Sequence, residues 1–185
     1  MIAAAVAAIR SGNVVGIPTD TVYGLAVDPL NEDAVQALFV LKGRPEHKPV
    51  GVLAASVEQA EMIGDLGPLA TELASQHWPG ALTLVVRPKV ILANWVGNSQ
   101  SRTVGLRVPD HEIALALLTE TGPLAVTSAN RSDEPEALTA GEARDVFSTE
   151  VAVYLHGASP GGQASTVVAA LDDELTVLRL GPVQI

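Results

Sequence analysis

At 185 residues the chain is long enough to bury one core without disulfide or metal staples, and short for two domains. It contains no cysteine, which excludes thiol nucleophiles, cysteinyl metal sites and a disulfide framework, and suits a reducing cytosol. A formal net charge of -10, with only 11 Lys and Arg, argues against surface-wide attraction to nucleic acid or an anionic membrane and suits a small anionic ligand instead.

The opening stretch MIAAAVAAIRSG places Arg10 after its apolar residues, the reverse of a signal peptide. No apolar run approaches the roughly 20 residues of a membrane span, so the expectation is a soluble cytoplasmic protein. Residues 2–11 read as a helix ending at Gly12, followed by a strand over Val14–Ile17. The octapeptide 18–25, PTDTVYGL, then gathers the hydroxyls of Thr19, Thr21 and Tyr23 with the carboxylate of Asp20 at a strand end. That is where a rigid scaffold presents binding groups, although Pro, Asp, Thr and Gly also make ordinary turns.

Asn31 can cap a helix whose Val35, Leu38 and Phe39 share a face before Gly43, placing Lys42 and Arg44 just beyond it. Val50–Ala54 reads as a strand, and Ser56 to Gln59 has capping-box spacing. Pro68 opens a further helix that Trp78-Pro79-Gly80 closes. Ala81–Val86 and Thr103–Val108 are strands separated by a polar segment whose length suits a mobile flap over Pro88–Arg102, with Trp95 available to pin it. Asp110 can cap a helix reaching Thr121, Leu124–Thr127 is a strand, and Thr139 to Glu142 repeats the capping box. Val151–Leu155, Thr166–Leu171 and Leu175–Leu180 are strands, the last two joined as an antiparallel hairpin. The fold class is α/β: one continuous domain, residues 1–185, built on a twisted mixed sheet with flanking helices.

Polar clusters recur at the strand ends: Thr19-Asp20-Thr21-x-Tyr23, Lys42-Gly43-Arg44, Thr103 with Arg107, Ser128-Ala129-Asn130, and Ser165-Thr166 with Arg179. Their recurrence points to one shared cleft, with hydroxyls and amides for directional hydrogen bonds and Lys and Arg for charge. Singly, each has a plain structural reading: cations at a helix C-terminus, a strand-to-loop transition, a solvated strand arginine. The histidines His47, His77, His111 and His156 show no i, i+4 pairing, so they read as surface residues and no protein-held metal is expected. Neither a nucleotide-binding glycine loop nor a Gly-x-Ser-x-Gly elbow occurs; any phosphate binding uses another geometry.

These clusters in this order resemble the YrdC/Sua5 family, the threonylcarbamoyl-AMP synthases of tRNA modification. PTDTVYGL, KGRPEHKP, WPGALTLV, TVGLRVP, TSAN, STVV and VLRLG follow one another over nearly the whole chain. The resemblance implies a YrdC-like sheet with a concave ligand-binding face and a nucleotidyltransferase that joins L-threonine, bicarbonate and ATP into threonylcarbamoyl-AMP and pyrophosphate. It implies that Thr21, Arg107, Thr127 and Ser165 contact threonine, and that Arg44, Lys48, Thr103, Ser128, Asn130, Glu136 and Arg179 hold ATP. Lys42 and Arg44 would neutralise phosphate charge during catalysis. Mg²⁺ would accompany ATP without dedicated protein ligands. Downstream partners would transfer the group to tRNA, with direct tRNA contact a lesser expectation.

The chain departs from the family pattern at Ser132-Asp133, where many members have Ser-Gly, and at Leu180, where Pro is common. It resembles the short form, without the second domain of longer relatives. Two other readings stand beside the synthase: an RNA-binding module, which the net charge disfavours, and a diverged nucleotide-binding paralogue that would bind ATP without any effect of threonine.

Overall fold

A computed structural model of the chain describes residues 1–45 and 48–185. His47 therefore lies outside the described residues. Among the described residues ten strands form one mixed sheet: β1 (Val15–Ile17), β2 (Gly24–Val27), β3 (Gly51–Leu53), β4 (Gly64–Asp65), β5 (Leu82–Pro88), β6 (Val104–Arg107), β7 (Leu124–Ser128), β8 (Val153–Tyr154), β9 (Thr166–Leu171) and β10 (Glu174–Arg179). Across the sheet the order is β10-β9-β5-β6-β3-β7-β2-β1-β8, with β4 paired to β5 outside this path. β3 runs parallel to β6, β5 to β9 and β1 to β8, and the other pairs are antiparallel.

The helices are α1 (Ile2–Arg10), α2 (Glu32–Lys42), α3 (Val57–Glu61), α4 (Gly67–His77), α5 (Glu112–Thr121) and α6 (Ala140–Phe147). Their ends follow local chemistry. Asn31 accepts from the Ala34 N–H at 3.1 Å, and Gly43, at φ +61, closes α2 in the left-handed conformation that costs glycine no Cβ clash. Both expected capping boxes form with a shift of one residue. Ser56 and Thr139 cap Gln59 and Glu142, whose side chains reach back to the N–H groups of Ala55 and Leu138 rather than to the cap residues.

Two hydrophobic layers sandwich the sheet. Val35, Leu38 and Phe39 of α2 and Leu73 of α4 pack with Val52, Leu84 and Leu106, while Val6 and Ile9 of α1 and Leu117 and Leu118 of α5 pack with Val15 and Ile17. Each fully buried aliphatic side chain contributes roughly 1.5–3 kcal/mol, so these layers fix the positions of the strand ends that carry the polar clusters.

Several expectations change. Lys42 is the last residue of α2 and not beyond it. His111, not Asp110, precedes α5, and it makes no side-chain cap bond. β2 and β4 were not expected, because Gly24-Leu25-Ala26-Val27 has no alternation to betray it; β2 forms by pairing with β1 and β7 on either side. The segment after β5 is fastened, not free: Val50 N–H donates to Trp95 C=O and Gly97 N–H to Val50 C=O, both at 2.9 Å, and the Trp95 ring lies 4.9 Å from Phe39. The hairpin of β9 and β10 turns through Asp172 and Asp173, both left-handed, at φ +54 and +61.

Candidate active site

A cleft of about 660 Å³ opens on one face of the central strands. Register explains its depth. Val85 pairs with Gly105 across β5 and β6, and Gly51 pairs with Val126 across β3 and β7. Gly51 and Gly105 lie side by side: a Cβ on Gly51 would sit 3.2 Å from the Gly105 carbonyl oxygen. Two glycines on neighbouring strands leave the sheet bare there, and the surrounding side chains form walls.

At one end stands Arg107, at the C-terminus of β6, with its side chain only 9 % exposed. Its Nε donates to Gly80 C=O at 2.9 Å, its Nη1 to Thr21 Oγ1 at 3.3 Å and its Nη2 to Asp20 Oδ1 at 2.5 Å. Thr19 Oγ1 donates to Val22 C=O at 2.8 Å, so in its 3.1 Å contact with Thr21 the donor is Thr21. The loop is clamped from outside by Ser159, whose Oγ accepts from Thr19 N–H at 2.9 Å, and by Gly161 N–H donating to Thr21 C=O at 2.8 Å. Tyr23 turns away from the cleft. Its ring is fully buried, its hydroxyl donates to Leu155 C=O at 2.8 Å, and burial raises its pKa; it is scaffold, unlike its neighbours.

On another wall, Ser165 shares a hydrogen bond with Thr83 at 2.9 Å and accepts one from Arg179 Nη2 at 3.1 Å. Arg179 Nε is held by Ser165 C=O at 3.0 Å, so its guanidinium is fixed although the residue is exposed. Thr103 is buried at the cleft edge and bonded to Ser101 at 2.8 Å.

A second, more polar cavity of about 510 Å³ adjoins the first, and Arg44, Ser128 and Glu136 line both. Arg44 donates to Lys48 C=O at 2.7 Å, Pro49 C=O at 3.0 Å and Thr127 Oγ1 at 3.3 Å. Lys48 and Asp133 face one another at 3.5 Å over this cavity, both exposed. Lys42 is only 2 % exposed, and its Nζ donates to Ser128 C=O at 2.5 Å, Asn130 C=O at 2.6 Å and Asn130 Oδ1 at 3.0 Å. Its three N–H groups are thus all engaged by protein, whereas sequence pointed to a cation free for phosphate. Burial, then Arg44, push the Lys42 ammonium down to about 8, and burial lowers Arg44 also.

The structure thus brings Thr21, Thr103, Arg107, Thr127, Ser165 and Arg179 to the larger cleft and Lys42, Lys48 and Asn130 to the smaller cavity, with Arg44, Ser128 and Glu136 at their junction. Thr83 and Ser159 escaped sequence reading. Alternation in Leu82-Thr83-Leu84-Val85 would have put Thr83 on the face of Val85, but nothing local marks Ser159, which meets Thr19 across 140 positions. His156 is exposed, while His77 and His111 are part-buried and the Nδ1 of His111 is buried without a partner. Among the described residues no group of three or more His, Asp and Glu is placed to hold a metal.

A glycine-floored cleft with a buried arginine at one end adjoins a polar cavity lined by Lys42, Arg44 and Lys48, an arrangement that defines an α/β protein with two connected, chemically unlike cavities. Comparison with known proteins narrows this class. The Sua5/YciO/YrdC family model, described as telomere recombination, matches residues 7–181, and the chain belongs to that family. A Mycobacterium leprae (strain TN) protein is 44% identical over 187 residues, covering 100% of this chain and 84% of that relative. The threonylcarbamoyl-AMP synthase of Bacillus subtilis (strain 168) is 38% identical over 183 residues, 97% of this chain and 53% of that protein. The crystal structure of P. abyssi Sua5 complexed with L-threonine superposes with a TM-score of 0.89 at 36% identity, over 97% of this chain and 54% of that one. The chain thus spans about half the length of these last two proteins. Structural neighbours bear out the mixed α/β, YrdC-like fold. Among the described residues no helix is long and apolar enough to cross a membrane.

Proposed function

We propose that this chain is an L-threonylcarbamoyladenylate synthase, a nucleotidyltransferase serving threonylcarbamoyladenosine modification of tRNA. The observation that carries the reading is the continuity of two unlike cavities through Arg44, Ser128 and Glu136. One presents a buried arginine and threonine hydroxyls, suited to an amino acid, and the other presents cations, suited to phosphates. Homologues named threonylcarbamoyl-AMP synthase and a Sua5 structure with L-threonine support it.

The chemistry follows. The threonine amine adds to bicarbonate and water leaves, giving a carbamate. A carbamate oxygen then attacks the α-phosphorus of ATP, and pyrophosphate departs. No protein nucleophile is required, so catalysis consists of alignment and charge neutralisation. Arg107, Thr21 and Ser165 hold threonine, with Thr127 beside them. Arg44, Lys48, Thr103, Ser128, Asn130 and Arg179 hold the nucleotide. Arg44, at the junction, sits where the attacking and leaving groups meet. Lys42 keeps Ser128 and Asn130 in place.

Brought with ATP, Mg²⁺ would supply further charge neutralisation at the phosphates. Glu136, at the junction of the two cavities, would be a carboxylate available to it, with Asp133 and Glu134 also lining the smaller cavity. The product passes to cytoplasmic proteins that transfer the group to tRNA adenosine. The test is pyrophosphate release from Mg·ATP with L-threonine and bicarbonate omitted in turn. Release that needs both, and is lost in Arg44→Ala, is expected; ATP turnover indifferent to threonine would overturn the assignment.

A further inference from the structure

The guanidinium of Arg107 has five N–H groups. Three are used by protein: one from Nε to Gly80, one from Nη1 to Thr21 and one from Nη2 to Asp20. The fork therefore has no rotational freedom, and two N–H groups remain, one on each terminal nitrogen. Arg107 borders the cleft, whereas Asp20, part-buried with 14 % of its side chain exposed, stands behind it and is not among the residues lining the cavity. Asp20 is itself placed by neighbours on both sides: Thr19 is anchored by Ser159 and Val22, and Thr21 by Gly161. A carboxylate carried on a loop anchored on both sides of it, and bonded to one terminal nitrogen of a guanidinium, helps to orient the N–H groups that remain.

We propose that Asp20 is the positioning residue of the amino-acid subsite: by holding Arg107 it presents the two remaining N–H groups as a fork that selects an α-carboxylate. This rests on reading the cleft as a threonine site. Paired N–H groups 2.7–2.9 Å from two carboxylate oxygens are the geometry in which arginine discriminates best, as a general rule. Without Asp20 the guanidinium would keep its bonds to Gly80 and Thr21 but lose the one that fixes its Nη2. Asp20 also balances the Arg107 charge while the subsite is empty, since an unpaired buried guanidinium is costly.

The test compares wild type, Asp20→Asn, Arg107→Gln and the double variant. KM is measured for L-threonine and for ATP by pyrophosphate release, and L-threonine and L-threoninol, which lacks the carboxylate, are titrated directly by calorimetry. Asp20→Asn is expected to raise the threonine KM about 10- to 100-fold while the ATP KM stays within about twofold. Its preference for threonine over threoninol should collapse. In the Arg107→Gln background, Asp20→Asn should add less than about twofold, because its effect passes through the arginine. If Asp20→Asn fails to fold, Asp20→Glu, which keeps the charge and moves it by one methylene, should give the same threonine-selective rise.

Equal rises in both KM values would mean a structural role and overturn the proposal, as would an unchanged threonine KM. An Asp20 effect undiminished in Arg107→Gln would make Asp20 a direct ligand contact and also overturn it. A wild type that neither binds threonine nor needs it for pyrophosphate release would overturn the synthase reading and this inference together; the other failures leave the synthase reading intact.

Discussion

Lys42 donates to both oxygens of Asn130, the carbonyl at 2.6 Å and the side-chain amide at 3.0 Å, and so ties the end of α2 to the loop that follows β7. Arg131 Nη1 and Ser132 N–H strengthen the tie by donating to the Leu41 and Lys42 carbonyls at 3.0 and 2.9 Å. Three acceptors converge on one ammonium, a geometry that a planar guanidinium cannot reproduce. Lys42→Met is expected to lower stability by about 1–3 kcal/mol, the cost of leaving the buried Asn130 carbonyl unpaired, since the Asn130 N–H still reaches the Ser128 carbonyl at 3.1 Å and the Ser128 hydroxyl still satisfies the Asn130 amide oxygen. Urea unfolding measures this, and Lys42→Arg should recover little of it.

The same lysine makes a pH prediction with opposite signs for stability and activity. Burial, seconded by Arg44 and opposed by Glu136, pushes its pKa from 10.5 to about 8. Between those values the unfolded chain binds the proton that the folded chain has lost. Unfolding free energy therefore rises with pH across about 8 to 10.5, and Lys42 contributes no slope below about 8. Activity should fall across the same onset. The neutral amine has two N–H groups for three acceptors, so the loop carrying Ser128 and Asn130 loosens. Urea midpoints and kcat/KM for ATP, each followed from neutral pH to about 10, should show these trends, and the stability slope should vanish in Lys42→Met.

Gly181 explains how the chain beyond β10 supports the cleft. A Cβ there would meet Thr166 N at 2.3 Å and the Ala164 carbonyl oxygen at 2.4 Å. Residues after Gly181 are fastened by Val183, which accepts from Thr166 Oγ1 at 2.7 Å and donates back at 3.1 Å. Gly181→Ala must push this segment off the backbone of Ser165, the residue that holds Arg179. Threonine-dependent pyrophosphate release is expected to fall at least about tenfold, as misplacement near reacting groups commonly does. A steady-state comparison with wild type checks it.

Sequence patterns revealed most of this architecture where a local signal existed. Asn31, Ser56, Thr139 and the Asp172-Asp173 turn act as their side chains dictate. The polar clusters do converge on adjoining cavities. What remained hidden is three-dimensional. No local pattern says that Lys42 will point inward to three acceptors supplied from 86 and 88 positions away, or that Asp20 will grip Arg107 at a separation of 87. Equally, the length and polarity of Pro88–Arg102 suggest a mobile flap with Trp95 available to pin it, whereas the partners that do pin it, Val50 and Phe39, are tertiary contacts no local pattern names.

Asp133 occupies a left-handed conformation, φ +68, which explains why glycine suits this position. Its pairing with Lys48 at 3.5 Å is exposed, and such a pair contributes about 0–1 kcal/mol. In Asp133→Gly, relief of the left-handed strain, about 1–2 kcal/mol, is largely offset by glycine's chain entropy, about 0.5–1 kcal/mol. Stability should hardly change. Nucleotide binding should tighten about two- to fivefold, because a carboxylate is removed from the cavity that would receive phosphates and Lys48 is released toward them. Calorimetric titration with ATP measures it, and weaker binding would assign the carboxylate a favourable part.

Gly105 offers the cleanest separation of fold from function. It lies within β6, where its Cβ would stand 3.1 Å from the Thr83 Cγ2 methyl and 3.9 Å from the Val85 Cγ2 methyl, both side-chain atoms able to adjust. The new side chain would project from the sheet into the floor of the cleft, beside Gly51. Valine favours strands, so Gly105→Val should keep the urea midpoint near wild type, with stability altered by no more than about 1 kcal/mol. The filled floor should nevertheless reduce threonine-dependent pyrophosphate release at least about tenfold, the scale expected when bound groups are displaced from alignment. Ala at the same position should fall between the two. If Gly105→Val unfolded the protein, the bare floor would be a packing requirement of the sheet; if it folded and remained fully active, the ligands would have to bind elsewhere on this face.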